Sequence, residues 1–256
     1  MIIGSKNAPR RVRFLASVTS VEEARIAVAA GADLIDCKAP SQGALGALPL
    51  SLVARIRMVV GTAIPVSATV GDRAPSSLDV ERLVVETART GVDFVKIGLY
   101  PDNDIEAAIV RLAGLDLGRA RLVAVMLADL EPDFSLIGKL ASAGFAGVML
   151  DTALKDGRAL PAVLAVPKLS EFVRECRANS MLCGLAGSLR AEHVAALVDL
   201  RPDLLGFRGA LCRGTNRTAA IDSDAVHSVA SAISSRCGMH FGVQSPVDAI
   251  VKVHEF

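Results

Sequence analysis

Asp36 and Lys38 flank Cys37 at the end of an apolar run, and two residues so spaced in an extended segment project to the same side. Further along, Lys96 sits inside a second apolar run, Asp151 closes a third, and Lys155 follows four residues later. Ammonium groups placed where apolar packing is expected carry a desolvation cost. Burial and mutual repulsion push their pKa toward neutrality. An amine tuned in this way attacks carbonyls or carries protons, which a guanidinium cannot do because it stays protonated. Lysine is also scarce, at 7 of the 28 Lys+Arg residues, so its use at these positions is informative. The chemistry indicated is a Schiff base on a carbonyl substrate, with neighbouring carboxylates moving protons. Mutual neutralisation within Asp36–Lys38 or Asp151–Lys155 is the plainer alternative.

Such residues converge only if the segments carrying them run side by side. Eight short apolar runs rich in β-branched residues recur at 12–18, 34–38, 64–70, 94–100, 122–127, 147–151, 181–186 and 204–209, their starts roughly 20 to 35 residues apart. Between them the apolar residues recur with a helical period, as in Ala24, Ile26, Ala27 and Ala30, or Leu83, Val84, Thr87 and Ala88. That alternation is the βα pattern of a parallel sheet buried on both faces. Ala30-Gly31-Ala32-Asp33, Thr90-Gly91-Val92-Asp93 and Ala143-Gly144-Phe145-Ala146 form a weak repeat before three strands, each glycine placed for a left-handed helix cap. Ser20 and Glu23 have the spacing of a capping box after the first strand. Eight βα units in about 250 residues match a (β/α)8 TIM barrel. A doubly wound sheet is the rival, but its dinucleotide turn would need a GxGxxG where the sequence reads Ser17-Val18-Thr19-Ser20. The expectation is one barrel domain over residues 1–236, followed by a tail at 237–256.

In such a barrel the site lies at the C-terminal ends of the strands. Ser67 and Thr69 on the third strand are candidate substrate contacts. Gly184-Leu185-Ala186-Gly187-Ser188 and Gly206-Phe207-Arg208-Gly209-Ala210 end the last two strands, where phosphate-binding loops of this fold occur. Gly187 and Gly209 allow backbone amides close to an anion, Ser188 offers a hydroxyl or a helix cap, and Arg208 or Arg213 offers charge.

Composition removes other classes. With a net charge of +1, one Tyr and no Trp, there is neither a basic field nor a stacking surface for nucleic acid. Mean hydropathy is high at +0.45, yet every apolar run is broken before the ~18 to 20 residues that span a bilayer. No secretory signal is evident in residues 1–13, and five cysteines without a CxxC pair fit a reduced, cytoplasmic setting as buried apolar residues. The four histidines lack paired-ligand spacing, so no metal site is expected. Apolar helix faces and a short tail lead to the expectation of a homo-oligomer.

In order and spacing, the motifs resemble the (5-formylfuran-3-yl)methyl phosphate synthase family over about residues 13–235. The strings that carry the likeness are Asp33-Leu34-Ile35-Asp36-Cys37-Lys38 with Gly43-Ala44-Leu45-Gly46, Ser67-Ala68-Thr69-Val70-Gly71-Asp72, Lys96-Ile97-Gly98-Leu99-Tyr100, Leu150-Asp151-Thr152-Ala153-Leu154-Lys155-Asp156-Gly157, Ala186-Gly187-Ser188 and Gly206-Phe207-Arg208-Gly209. The resemblance implies a TIM-barrel lyase that joins two molecules of glyceraldehyde 3-phosphate into a furan aldehyde phosphate, releasing phosphate and water, for methanofuran or methylofuran. It also implies that Lys38 forms the Schiff base and Lys96 transfers protons, with Lys155, Asp36 and Asp151 completing the site and no cofactor. Another class I aldolase-like barrel and a non-catalytic sugar-phosphate-binding barrel are the competing readings. The segment around Asp129 matches the family pattern least.

Overall fold

The computed structural model describes residues 11–236. The tail expected at 237–256, with Cys237, lies outside the described residues. Eight parallel strands close on themselves in sequence order: β1 Arg13–Val18, β2 Leu34–Cys37, β3 Val66–Thr69, β4 Phe94–Leu99, β5 Arg121–Leu127, β6 Gly147–Asp151, β7 Leu182–Leu185 and β8 Leu204–Phe207. Around them, among the described residues, run α1 Val21–Ala29, α2 Leu50–Val60, α3 Val80–Ala88, α4 Ile105–Ala113, α5 Leu136–Ser142, α6 Leu160–Val163, α7 Val166–Ala178, α8 Val194–Asp199 and α9 Ser223–Arg236. The fold is a TIM barrel, as the spacing of apolar runs predicts. The strands are shorter than several of those runs, whose last residues, such as Lys38, Tyr100 and Ala186, lie just beyond the strand ends.

Side chains divide by strand parity. Those pointing outward, such as Ala16, Val18, Ile35, Val95, Val148 and Phe207, pack under the helices. Those pointing inward form a smaller cluster that includes Leu15, Leu34, Val123, Val125, Met149 and Leu204 and plugs the barrel. Met149 occupies the space that a Cβ at Gly184 would need, 2.6 Å from its Cγ, so the glycine lets one long apolar side chain fill the axis. Above this plug the inward positions turn polar.

The glycine repeat has the expected backbone, with φ of +88°, +86° and +86° at Gly31, Gly91 and Gly144. The aspartates beside it have a separate role. Asp33, just before β2, accepts from the Phe14 amide of β1, and Asp93, just before β4, accepts from the Val66 amide of β3, both at 2.8 Å. Asp203, just before β8, does the same for Cys183 of β7 at 2.8 Å. Each carboxylate ties the lower end of one strand to its neighbour. Cys37, Cys176, Cys183 and Cys212 are free and buried, as expected of small apolar residues.

Candidate active site

Lys38 directly follows β2 and Asp151 ends β6, strands that stand opposite each other in the closed ring. Lys38 Nζ lies 2.9 Å from Asp151 Oδ2, and Lys155 Nζ lies 2.9 Å from the other oxygen, so one carboxylate bridges two amines. The Thr152 amide also donates to Asp151 at 2.8 Å. A second group sits deeper: Asp36 Oδ1 lies 3.0 Å from Lys96 Nζ and accepts from Ser67 Oγ at 2.6 Å, while Ser17 Oγ donates to Oδ2 at 3.0 Å. The side chains of Lys96 and Asp36 are 4% and 1% exposed, and those of Lys38 and Asp151 are 7% and 8% exposed. All five residues line one cavity of about 270 Å³ at the C-terminal mouth.

The pairing differs from the simplest expectation. Of the two neutralising pairs considered, Asp151–Lys155 forms, but Asp36 turns to Lys96 on β4 while Lys38 reaches across the barrel. Two successive inward positions, one on β2 and one just past its end, thus serve two different clusters.

Burial alone would raise the Asp151 carboxyl, but the charges and hydrogen bonds of Lys38 and Lys155 outweigh it and hold Asp151 far below the usual carboxylate range. Burial pushes the Lys155 ammonium down, opposed by Asp151 and reinforced by Lys38. Burial, with Asp36 beside it, pushes the Cys37 thiol up, so this thiol inside the Asp-x-Lys motif is not a thiolate.

The anion-binding expectations separate into two kinds. Gly187 and Ser188 follow β7 with φ of +106° and +50°, and both line the cavity together with Gly209 and Ala210 after β8. Among the described residues, the amides of these four cavity-lining residues are found with no protein acceptor, the arrangement from which an anion-binding nest is built. Arg208 is different. Its Nη1 and Nη2 grip Glu23 at 2.5 and 3.3 Å, and its remaining hydrogens go to the carbonyls of Ser17, Arg217 and Ala219 at 3.2, 2.8 and 2.8 Å. All five guanidinium donors are therefore occupied by protein acceptors, and in this arrangement Arg208 fastens the loop after β8. Arg213 is exposed, 3.9 Å from Asp222, and does not line the cavity.

Glu23 also accepts from the amide and hydroxyl of Thr19 at 2.7 and 2.9 Å and from the Ile221 amide at 3.1 Å. The expected capping box is therefore half formed: Ser20 caps the Glu23 amide at 3.1 Å, while the Glu23 carboxylate serves Thr19 and Arg208. Burial by itself would raise this carboxyl, and the Arg208 and Thr19 bonds more than reverse that.

Ser67 and Thr69 do not line the mouth cavity and bond to the protein beside it. Ser67 orients Asp36, and Thr69 Oγ1 donates 2.9 Å to the Gly46 carbonyl, holding the loop after β2. Three residues passed over by motif reading contribute more directly. Ser17 orients Asp36 from β1; Asp129 accepts from the Ala153 and Leu154 amides at 2.7 and 2.6 Å and fixes the segment that carries Lys155; Arg217 lines the mouth. The position of Ser17 at the end of β1 was the only signal available for it. Asp129 and Arg217 act through loops whose meeting depends on barrel closure.

A sequence profile of the 4-HFC-P synthase family matches residues 14–230. A Methylorubrum extorquens protein, provisionally named as such a synthase, is 42% identical over 212 residues, covering 83% of this chain and 87% of the relative. The (5-formylfuran-3-yl)methyl phosphate synthase of Methanopyrus kandleri is 37% identical over 240 residues, 88% of this chain and 100% of its own length, and that of Methanocaldococcus jannaschii is 36% identical over 217 residues, 80% and 92% respectively. Among solved structures, phosphoribosyl anthranilate isomerase from Thermotoga maritima aligns with a TM-score of 0.63 at 16% identity, covering 89% of this chain and 100% of its own, a likeness of fold alone. With the profile spanning most of the chain and relatives more than 30% identical over nearly their full length, this chain belongs to the (5-formylfuran-3-yl)methyl phosphate synthase family, a family of enzymes of furan cofactor biosynthesis.

Proposed function

We propose that the protein condenses two molecules of glyceraldehyde 3-phosphate through a Schiff base on Lys38, giving (5-formylfuran-3-yl)methyl phosphate with one phosphate and two waters released. The observation that carries this reading is the pair of amine–carboxylate clusters in one cavity, Lys38–Asp151–Lys155 at the mouth and Lys96–Asp36 beneath it.

Lys38 is the nucleophile in this scheme because it stands at the mouth. Its bond to Asp151 orients the amine, and Lys155 keeps that carboxylate compensated when Lys38 becomes an imine. The imine acidifies the adjacent carbon of the bound triose. Lys96, paired with Asp36 and enclosed by the barrel, takes that proton and returns it in the later dehydrations. Loss of the phosphate β to the carbanion leaves an enol whose terminal carbon adds to C2 of the second triose, held as its ketone tautomer after proton transfer; closure of that triose's C1 hydroxyl onto C2 of the first and loss of two waters complete the furan and balance the atoms. The nest of amides from Gly187, Ser188, Gly209 and Ala210 suits the phosphate of the triose held on Lys38.

The test is to incubate the purified protein with glyceraldehyde 3-phosphate, following phosphate release and the ultraviolet spectrum together. One phosphate released per furan aldehyde chromophore is expected. Carbon–carbon bond formation with no chromophore would assign the site to a class I aldolase-like reaction, and tight binding without phosphate release would assign it to a binding protein.

A further inference from the structure

Arg217 sits in the connection between β8 and α9, and the backbone there is held firmly. Arg208 donates to the carbonyls of Arg217 and Ala219, and Glu23 accepts from the Ile221 amide. From this base the Arg217 side chain crosses the mouth to the loop after β2, where Nη2 donates to the Gly43 carbonyl at 2.7 Å. That loop is fixed in turn: Asp72 accepts from the Ala44 and Leu45 amides at 2.9 and 2.6 Å and from the Tyr100 hydroxyl at 2.6 Å. The guanidinium is thus placed over the cavity by two rigid loops.

Its charge is unanswered. Among the described residues no carboxylate comes within ion-pair distance of Arg217, and its protein acceptor is a neutral carbonyl that takes one of five donors. Burial depresses this cation, and Asp151 and Asp72 act on it only at a distance. Lys155, across the same cavity, is a second cation, and the charge of Arg217 disfavours its protonation. A half-buried, oriented guanidinium facing another cation lacks an anion, and a planar fork of N–H donors fits a phosphate dianion bidentately.

Two triose phosphates bring two phosphate groups, and the open amides beyond β7 and β8 form a nest for one of them. We propose that Arg217 is a specificity-determining residue that binds a second phosphate, separate from the glycine nest, and so selects a phosphorylated second triose. This rests on the condensation proposed above for its role in turnover. The second anion site itself does not, because inorganic phosphate tests it without any reaction.

Titration calorimetry with inorganic phosphate should give two sites on the wild type and one on Arg217→Ala. Kinetics of the variant should show KM for glyceraldehyde 3-phosphate raised about 100-fold, the loss expected when one partner of a desolvated charged pair is removed. Borohydride should still trap the first triose on Lys38, and added guanidinium should restore part of the furan formation. Arg217→Lys should recover part of the affinity, because it keeps the charge without the fork. Equal phosphate stoichiometry in wild type and Arg217→Ala would overturn the proposal. So would a fall in kcat with unchanged KM and no guanidinium rescue, which is the signature of a purely structural latch. Two phosphate sites in a wild type that makes no furan would sink the condensation and leave the anion site standing.

Discussion

Lys38 at the end of the β2 run and Asp151 on β6 meet at 2.9 Å across the barrel, with Lys155 holding the opposite oxygen of the same carboxylate at 2.9 Å. This sharing makes Lys38 separable from the fold. In Lys38→Ala, Asp151 keeps Lys155 and the Thr152 amide, so the loss of stability should fall short of the ~3–5 kcal/mol that follows an uncompensated buried charge. Borohydride trapping with triose phosphate followed by peptide mass analysis should place the wild-type adduct on Lys38 and find none in the variant. An undiminished adduct in Lys38→Ala removes this residue from the nucleophilic role.

Lys96 and Asp36 should respond differently to truncation. Lys96→Met leaves Asp36 with the Ser17 and Ser67 hydroxyls and should lower kcat by about 10² to 10⁴ while the Lys38 adduct still forms. Asp36→Asn leaves the buried Lys96 ammonium without a counter-charge and should cost about 3–5 kcal/mol as well. Urea unfolding beside single-turnover kinetics separates the two; equal destabilisation by both variants argues against the assignment.

Asp129 is a positioning residue for Lys155. Asp129→Asn weakens two charge-assisted bonds to the Ala153 and Leu154 amides, with an expected cost of about 1.5–3 kcal/mol and a fall in kcat of about tenfold to a hundredfold as Lys155 loses its place. Hydrogen exchange should rise at residues 152–157 and stay unchanged in the distant α2. Unaltered exchange there would remove the loop from the explanation.

The Glu23–Arg208 pair makes a pH-dependent contribution to stability. The Glu23 carboxyl is held below its ordinary value of 4.5 in the folded chain, so its contribution is fully present above pH 4.5 and fades as pH falls through the lower folded-state value. Glu23→Gln leaves Arg208 buried without its partner and should lower stability by about 3 kcal/mol at pH 7. Denaturant unfolding of both proteins at descending pH should show the gap closing in acid; a constant gap would mean that charge is not what Glu23 supplies.

The barrel was legible in the sequence because its signals are local. Apolar runs with βα spacing, glycines at left-handed caps and an aspartate before each of several strands need only neighbouring residues to be read. The candidate catalytic set was legible for a related reason: a lysine inside an apolar run conflicts with burial at that position wherever the rest of the chain lies. Partnership was not legible. Nothing local tells Asp36 to take Lys96 on β4, or Lys38 to take Asp151 on β6, because strand closure brings those pairs together from sites 60 and 113 residues apart.

The same limit explains the two arginines. By position, Arg208 ends the last strand beside a glycine and reads as a phosphate ligand, whereas Arg217 reads as one more polar residue in a loop. Glu23 and three carbonyls consume every donor of Arg208, and the reach of Arg217 to Gly43 leaves a cation open over the mouth. The sequence determined which residues must lie inside the barrel, since hydrophobic period and the cost of a misplaced charge are properties of the chain itself. Tertiary structure decided which charge answers which, because electrostatic partnership depends on distance through space and is set only when the ring closes.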